Sequence, residues 1–384
     1  MCIQNKRGFT LTELLIVMVV FLVIIMITAA AFKTIVNSSS QQTKSVETQI
    51  EGIVGLEILR ADLQQAGFGL PWTFSNAITY EEAESTNVTT TSLFNNAPSD
   101  PPCAILSGDT DFNTSTSPNN SSKYIVIKST LAVANDASKK WTTVSYDKND
   151  VKNIVLWGAA DRDFTPAERV IVVKNSLMTT PPTRQLIVPS NTVFSARFDA
   201  YSTQGLTNPH QNGDTFELYG VNPDTDLRMP FNRADYYIKR PASNMPASCA
   251  ANTGILYKST VSHSNGNPTV GMPLLDCVAD MQILYGFDTS GDGVVNFHDT
   301  VPLTTAQEIR NQLREVRVYI LAQEGKKDLS YSYPSATIDV GDSFDGGTSV
   351  AGRRFNLQTL IGSDYKYYRW KVYSIVVRPK NLIQ

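Results

Sequence analysis

Between Asp288 and Asp299, five oxygen-bearing side chains recur at a spacing suited to a cation. Read as a twelve-residue loop, Asp288, Ser290, Asp292, Asn296 and Asp299 fall at positions one, three, five, nine and twelve. Gly293 falls at six, and Val294 at seven offers its backbone carbonyl. This is the ligand order of a calcium loop, where hard oxygens surround the ion and glycine makes the sharp turn. Ser290 stands where Asp or Asn is commoner, and Asp299 where a bidentate Glu is usual. Ligand charge and reach are therefore reduced, and the expected affinity is of the extracellular class, about 0.1 to 1 mM. Gln282 to Phe287 reads as an entering strand rather than a helix, so an Asp/Gly hairpin turn is the other reading.

A second group is Glu13, the one carboxylate at the edge of an apolar run. A charge there is costly unless paired, so it asks for a partner, or it serves as a first-turn charge against the helix dipole. Enzymatic patterns are missing: the chain has no Gly-x-Ser-x-Gly, His-Glu-x-x-His, phosphate loop or Gly-x-Gly-x-x-Gly. Its three histidines, His210, His263 and His298, are scattered, and no enzyme is expected.

The element that positions Glu13 is a helix. Leu14 to Phe32 contains one polar side chain, Thr28, and is long enough to cross most of a hydrocarbon core about 30 Å thick. The basic Lys6 and Arg7 precede the run, and no small-residue cleavage site follows it. Lys33 to Ser45 turns polar without Pro or Gly, so the helix continues. Val46, Ile50, Ile53, Leu56, Leu59 and Leu63 then step by threes and fours and draw one apolar stripe to seat it on a globular domain. Gly52 and Gly55 read as loosening the helix by about 1 kcal/mol each, and Gly67 as its left-handed stop.

Lys6-Arg7-Gly8-Phe9-Thr10-Leu11-Thr12-Glu13-Leu14-Leu15 resembles the N-terminus of type IV prepilins. The resemblance implies that a prepilin peptidase removes residues 1–8 by cutting after Gly8 and that Phe9 becomes a methylated N-terminus. It also implies that Glu13 pairs with the N-terminal amine of a neighbouring subunit. Arg60-Ala61-Asp62-Leu63-Gln64-Gln65-Ala66-Gly67-Phe68-Gly69 resembles the helix end of PilW-like minor pilins and of the larger minor pseudopilins of type II secretion. Leu275 to Asp288, with its Met281-Gln282 strand and Tyr285-Gly286, resembles the same group, as do Arg314 to Ala322 and Tyr368 to Leu382. Pro379-Lys380 interrupts the usual ending and is expected to shorten the last ladder. Residues 73–230 are hardly covered.

Composition describes a chain of modest net charge. The chain has 384 residues, with 33 basic and 36 acidic; setting aside Lys6 and Arg7 leaves 31 basic, which is no footprint for nucleic acid. Cys2 would leave with the leader. Of Cys103, Cys249 and Cys277, none lies in a Cys-x-x-Cys pair, so zinc spacing is absent. For a head outside the inner membrane one disulfide is expected, Cys249 to Cys277 closing the shorter loop, with Cys103 left free or paired in its place.

Residues 72–123 read as a loop-rich insertion with at most a short strand, and apolar/polar alternation from Tyr124 to Val377 reads as antiparallel strands. The expected fold is α+β and pilin-like, a long N-terminal helix packed on antiparallel β-sheets. The parts are a leader (1–8), a pilin helix (9–66, membrane segment about 10–32) and a β-rich head (67–384). The expected function is a minor type IV pilin that primes or caps pilus assembly. Its partners would be other minor and major pilins, the prepilin peptidase, an inner-membrane assembly platform and, before assembly, membrane lipid. Its location would be the inner membrane with a periplasmic head, then the pilus. A type II secretion pseudopilin and an adhesin or DNA-uptake subunit acting through residues 73–230 are the rivals; nucleic acid is a partner in the last alone.

Overall fold

The computed structural model describes residues 10–84, 89–111, 121–176, 183–343 and 351–382. One helix of 54 residues, α1 (Leu11–Gln64), opens the chain and is about 80 Å long. Then come β1 (Thr73–Phe74), the short α2 (Thr89–Ser92), β2 (Ile105–Asp111), β3 (Ser121–Ser129), β4 (Trp141–Tyr146), β5 (Lys152–Ile154) and β6 (Arg169–Ser176). β7 (Thr183–Leu186), β8 (Ala196–Arg197), β9 (Thr215–Asn222), β10 (Asn232–Lys239), β11 (Gly254–Thr260) and β12 (Met272–Phe287) follow. The last elements are β13 (Phe297–Asp299), α3 (Ala306–Gln312), β14 (Leu313–Glu324), β15 (Thr337–Asp342), β16 (Ala351–Asn356), α4 (Leu357–Leu360) and β17 (Arg369–Val377).

Among the described residues these strands form two large sheets and a hairpin. The eight-stranded sheet runs β17-β14-β12-β11-β10-β3-β2, with β13 on the end of β12; the seven-stranded sheet runs β1-β7-β6-β9-β4-β5, with β8 beside β6. Pairing is antiparallel except between β1 and β7. The fold is thus α+β, a long helix on antiparallel sheets.

Strand periodicity explains how the core is shared. On β14, Val316, Val318, Ile320 and Ala322 face the main core with Leu59 and Leu63 of α1, while Tyr319 and Leu321 face a second cluster with Phe355, Leu357 and Trp370. On β6, Ile171 and Val173 join the main core, and Val170 and Val172 join a third cluster with Phe216 and Leu218. Successive side chains point to opposite faces, so strands covered on both sides read as continuous apolar runs.

Several expected strands differ in extent. Arg354 to Leu360 divides into the end of β16 and α4, because Asn356 caps a helical turn by accepting the Thr359 N–H at 2.9 Å. Thr192 to Phe198 keeps strand form only at β8, and Asn153 to Trp157 only through Ile154. β17 stops at Val377, two residues before Pro379, whose nitrogen has no hydrogen to donate.

The segment after α1 also enters the interior. Leu70, Ile78, Tyr80, Glu82 and Cys103 are buried. Glu82 accepts from Lys128 Nζ (2.8 Å) and Arg233 Nη1 (3.2 Å), and Arg233 Nε reaches Asp235 at 2.7 Å. Two acids and two bases balance in charge with their side chains almost wholly out of water. Burial would raise the Glu82 carboxyl, but Lys128 and Arg233 hold it below the usual range.

Candidate functional site

The helix start is built from local polar chemistry. Thr10 is the N-cap: its hydroxyl accepts from the Glu13 N–H at 3.3 Å, and Glu13 Oε2 accepts from the Thr10 N–H at 2.9 Å. This reciprocal capping box satisfies two amide hydrogens that a helix leaves without internal partners. In the single chain, Glu13 therefore serves its own helix. Gly8 and Phe9 lie outside the described residues.

From Leu11 to Val36 every residue is exposed, although the segment is long and apolar enough to cross a membrane. The head covers none of it. This surface must be met by lipid or by other helices, since apolar area left in water costs about 25 cal/mol per Å².

The second half of α1 is held by close packing and one ion pair. Leu56, Leu59 and Leu63 are buried; Ile53, expected in the same stripe, is 58% exposed, and the side chains of Val46 and Ile50 lie outside the described residues. Glycine takes the inner positions instead. A β-carbon on Gly55 would stand 2.0 Å from the Leu274 carbonyl oxygen, and one on Gly52 3.0 Å from Leu275 Cδ1. The glycines expected to loosen the helix are its contact surface against β12. Asp62 anchors the next turn, accepting from Tyr236 Oη and Lys258 Nζ, each at 2.5 Å. Burial pushes its carboxyl up, with Lys258 pulling it back. The C-terminal tail closes the helix: the Lys380 N–H donates to the Gln64 carbonyl at 3.1 Å, and Leu382 lies against Gly67, whose φ is +83°.

Asp62 was visible in sequence only as part of a resemblance. Its partners lie 174 and 196 residues away, on β10 and β11. No local pattern announces such a contact.

The Asp288 to Asp299 loop folds around its first carboxylate. Asp288 Oδ1 accepts from the N–H groups of Gly291 (2.6 Å) and Asp292 (3.2 Å), and Oδ2 from Gly293 (2.8 Å). Arg314 Nη2 lies 3.2 Å from Oδ2. Asn296 Oδ1 accepts from Thr289 and its Nδ2 donates to Ser290 Oγ, while Asp292 Oδ1 accepts from the Val294 N–H. Asp299 sits on β13, paired with Tyr285. Among the described residues no three acidic, histidine or cysteine side chains gather around a common centre. In this arrangement Arg314 and three backbone N–H groups hold the Asp288 carboxylate at the head of the loop.

Cys249 and Cys277 are joined by a disulfide, and Cys103 is a buried free thiol. The bridge ties the segment before β11 to β12, the strand against which α1 packs.

A prepilin-type N-terminal sequence, a long helix exposed in its first half and docked in its second, and antiparallel sheets agree with the expected pilin-like α+β arrangement. Residues 3–29 match the family model described as prokaryotic N-terminal methylation motif, and residues 235–381 match type IV pilus-assembly protein W. No curated protein and no solved structure matches the chain. The chain is thus similar to type IV prepilin-like minor pilins at its N-terminus and PilW-like from β10 to its C-terminal tail. The seven-stranded sheet lies outside both matches. These families point to a structural rather than a catalytic protein, and the exposed helix is consistent with membrane anchoring.

Proposed function

We propose that this minor pilin primes or caps the assembly of a type IV pilus. The observation that carries the reading is the abrupt division of α1, fully exposed from Leu11 to Val36 and locked to the head from Leu56 onward. A helix so divided waits in lipid and leaves it only when other helices cover the same surface. Cutting after Gly8 frees the Phe9 amine; Glu13 of one subunit then exchanges its contact with Thr10 for the amine of its neighbour. The partners are other minor and major pilins, the prepilin peptidase and an inner-membrane assembly platform. The head waits in the periplasm and ends on the pilus.

The size of the head favours a tip over a repeating shaft position. With two large sheets and an added hairpin it is bulky for a subunit that must recur along a filament. Gold-labelled antibody on sheared pili tests this: label at filament ends is expected, and label spaced along the shaft would replace capping with a shaft role. Should the protein be needed for secretin-dependent export and not for piliation, the pseudopilin reading would stand instead.

A further inference from the structure

Two tryptophans stand in the open at the edge of the seven-stranded sheet. Trp141 begins β4 and Trp157 follows β5; they are 40% and 41% exposed, with ring centres 5.2 Å apart and planes at 62°. They are fixed in place. The Trp157 indole N–H donates to the Trp141 carbonyl at 2.9 Å, and Asp163 accepts from the N–H groups of Trp157 (2.7 Å), Gly158 (2.9 Å) and Ala159 (3.2 Å). A scaffold of hydrogen bonds thus holds two half-exposed indoles at the surface, which lowers the ordering cost of a ring that stacks there.

The rings wall a cavity of about 230 Å³ completed by Lys139, Lys140 and Arg162. Lys140 is committed, its ammonium 2.8 Å from the buried Glu168, so its stem forms part of the wall. Lys139 is exposed and has only a loose contact with Asp136, at 3.9 Å. Arg162 is exposed, and no acidic side chain lines the cavity.

An aromatic corner beside two cations fits a flat or puckered ring carrying one negative group. The volume is below that of a drug-sized site, which limits the occupant to about one ring. The surroundings favour a single carboxylate over a phosphate chain. A polyanion needs a track of cations, whereas Asp161 and Asp163 flank Arg162 and Asp136 lies three residues before Lys139. We propose that Trp141, Trp157, Lys139 and Arg162 form a binding site for an acidic sugar, a pyranose whose apolar face stacks on indole and whose carboxylate meets the guanidinium. The site lies in the part of the chain that neither family model matches.

The test uses the full-length protein in detergent micelles, with sodium galacturonate, neutral galactose and oligothymidylate as probes read by tryptophan fluorescence. Wild type is expected to bind galacturonate saturably, and galactose about tenfold more weakly. Trp157→Ala weakens both sugars about tenfold. Arg162→Gln, an exposed change that leaves the fold intact, removes the preference for galacturonate without altering galactose binding. The proposal is overturned by any of three results. Galacturonate gives no saturable response; oligothymidylate binds more tightly than galacturonate; or Trp157→Ala abolishes a self-association of the protein while leaving sugar binding unchanged.

Discussion

Gly55 on the pilin helix meets the main chain of Leu274 on β12 with no space for a methyl group between them. The obstacle is a carbonyl oxygen rather than a flexible side chain, so a larger residue can be admitted only by moving the helix off the sheet. Glycine costs about 1 kcal/mol of helix propensity relative to alanine, and here the close approach outweighs it.

Gly55→Ala is therefore expected to destabilise the head, opposite to the usual effect of this substitution in a helix. Overpacking costs about 1 to 3 kcal/mol, or a fall in Tm of several degrees for a domain of this size. Thermal melts check it; an unchanged or raised Tm would show that the helix is not seated as described.

The seat of the helix was partly legible from sequence. Steps of three and four marked Leu56, Leu59 and Leu63 correctly, yet assigned Ile53 to a face where the structure has Gly52 and Gly55. Periodicity finds a stripe of large side chains and misses a contact made through their absence. Glu82 and its partners were illegible for another reason: Lys128 lies 46 residues away and Arg233 151, and a polar stretch around Glu82 looks like surface. α3 did carry a local signal. Thr305 and Glu308 have capping-box spacing, and Thr305 Oγ1 accepts from the Glu308 N–H at 3.2 Å. The N-terminal motif was the most legible part, because its pattern is local and linear.

Asp280 gives the fold a pH dependence of definite sign. Burial pushes its carboxyl up to about 6, against the opposing effects of Arg353 at 3.6 Å and of Gln282. The folded chain then holds this proton more tightly than the unfolded chain, where the value is near 3.8. The charged form thus disfavours folding above about pH 6, and the penalty fades as pH falls towards 4. Asp280→Asn should melt higher than wild type at about pH 7.5, by an amount worth up to about 3 kcal/mol. The two should converge near about pH 4. A gap that stays constant with pH would contradict the assignment.

Asp288 holds its loop through backbone amides and Arg314. Asp288→Ala is expected to lower Tm equally in chelator and in calcium at about 1 mM, the range of weak extracellular sites. A wild-type Tm that rises with calcium, with the rise lost in Asp288→Ala, would place the cation in the loop.

Glu13 is exposed in the single subunit and, among the described residues, hydrogen-bonds its own cap. Glu13→Ala should leave cleavage and the fold of the head intact while reducing piliation. Since the head does not touch this residue, a lower yield of pili with an unchanged melt separates assembly from folding. Normal piliation would remove the pairing with the neighbour's amine.

The account rests most directly on the N-terminus of the protein once it has left the membrane. Mass spectrometry of sheared, washed pili should recover this chain with an N-terminal peptide that begins at methylated Phe9. Recovery only from the membrane fraction, or from pili with Met1 to Gly8 still attached, would contradict a processed helix that assembles into the filament.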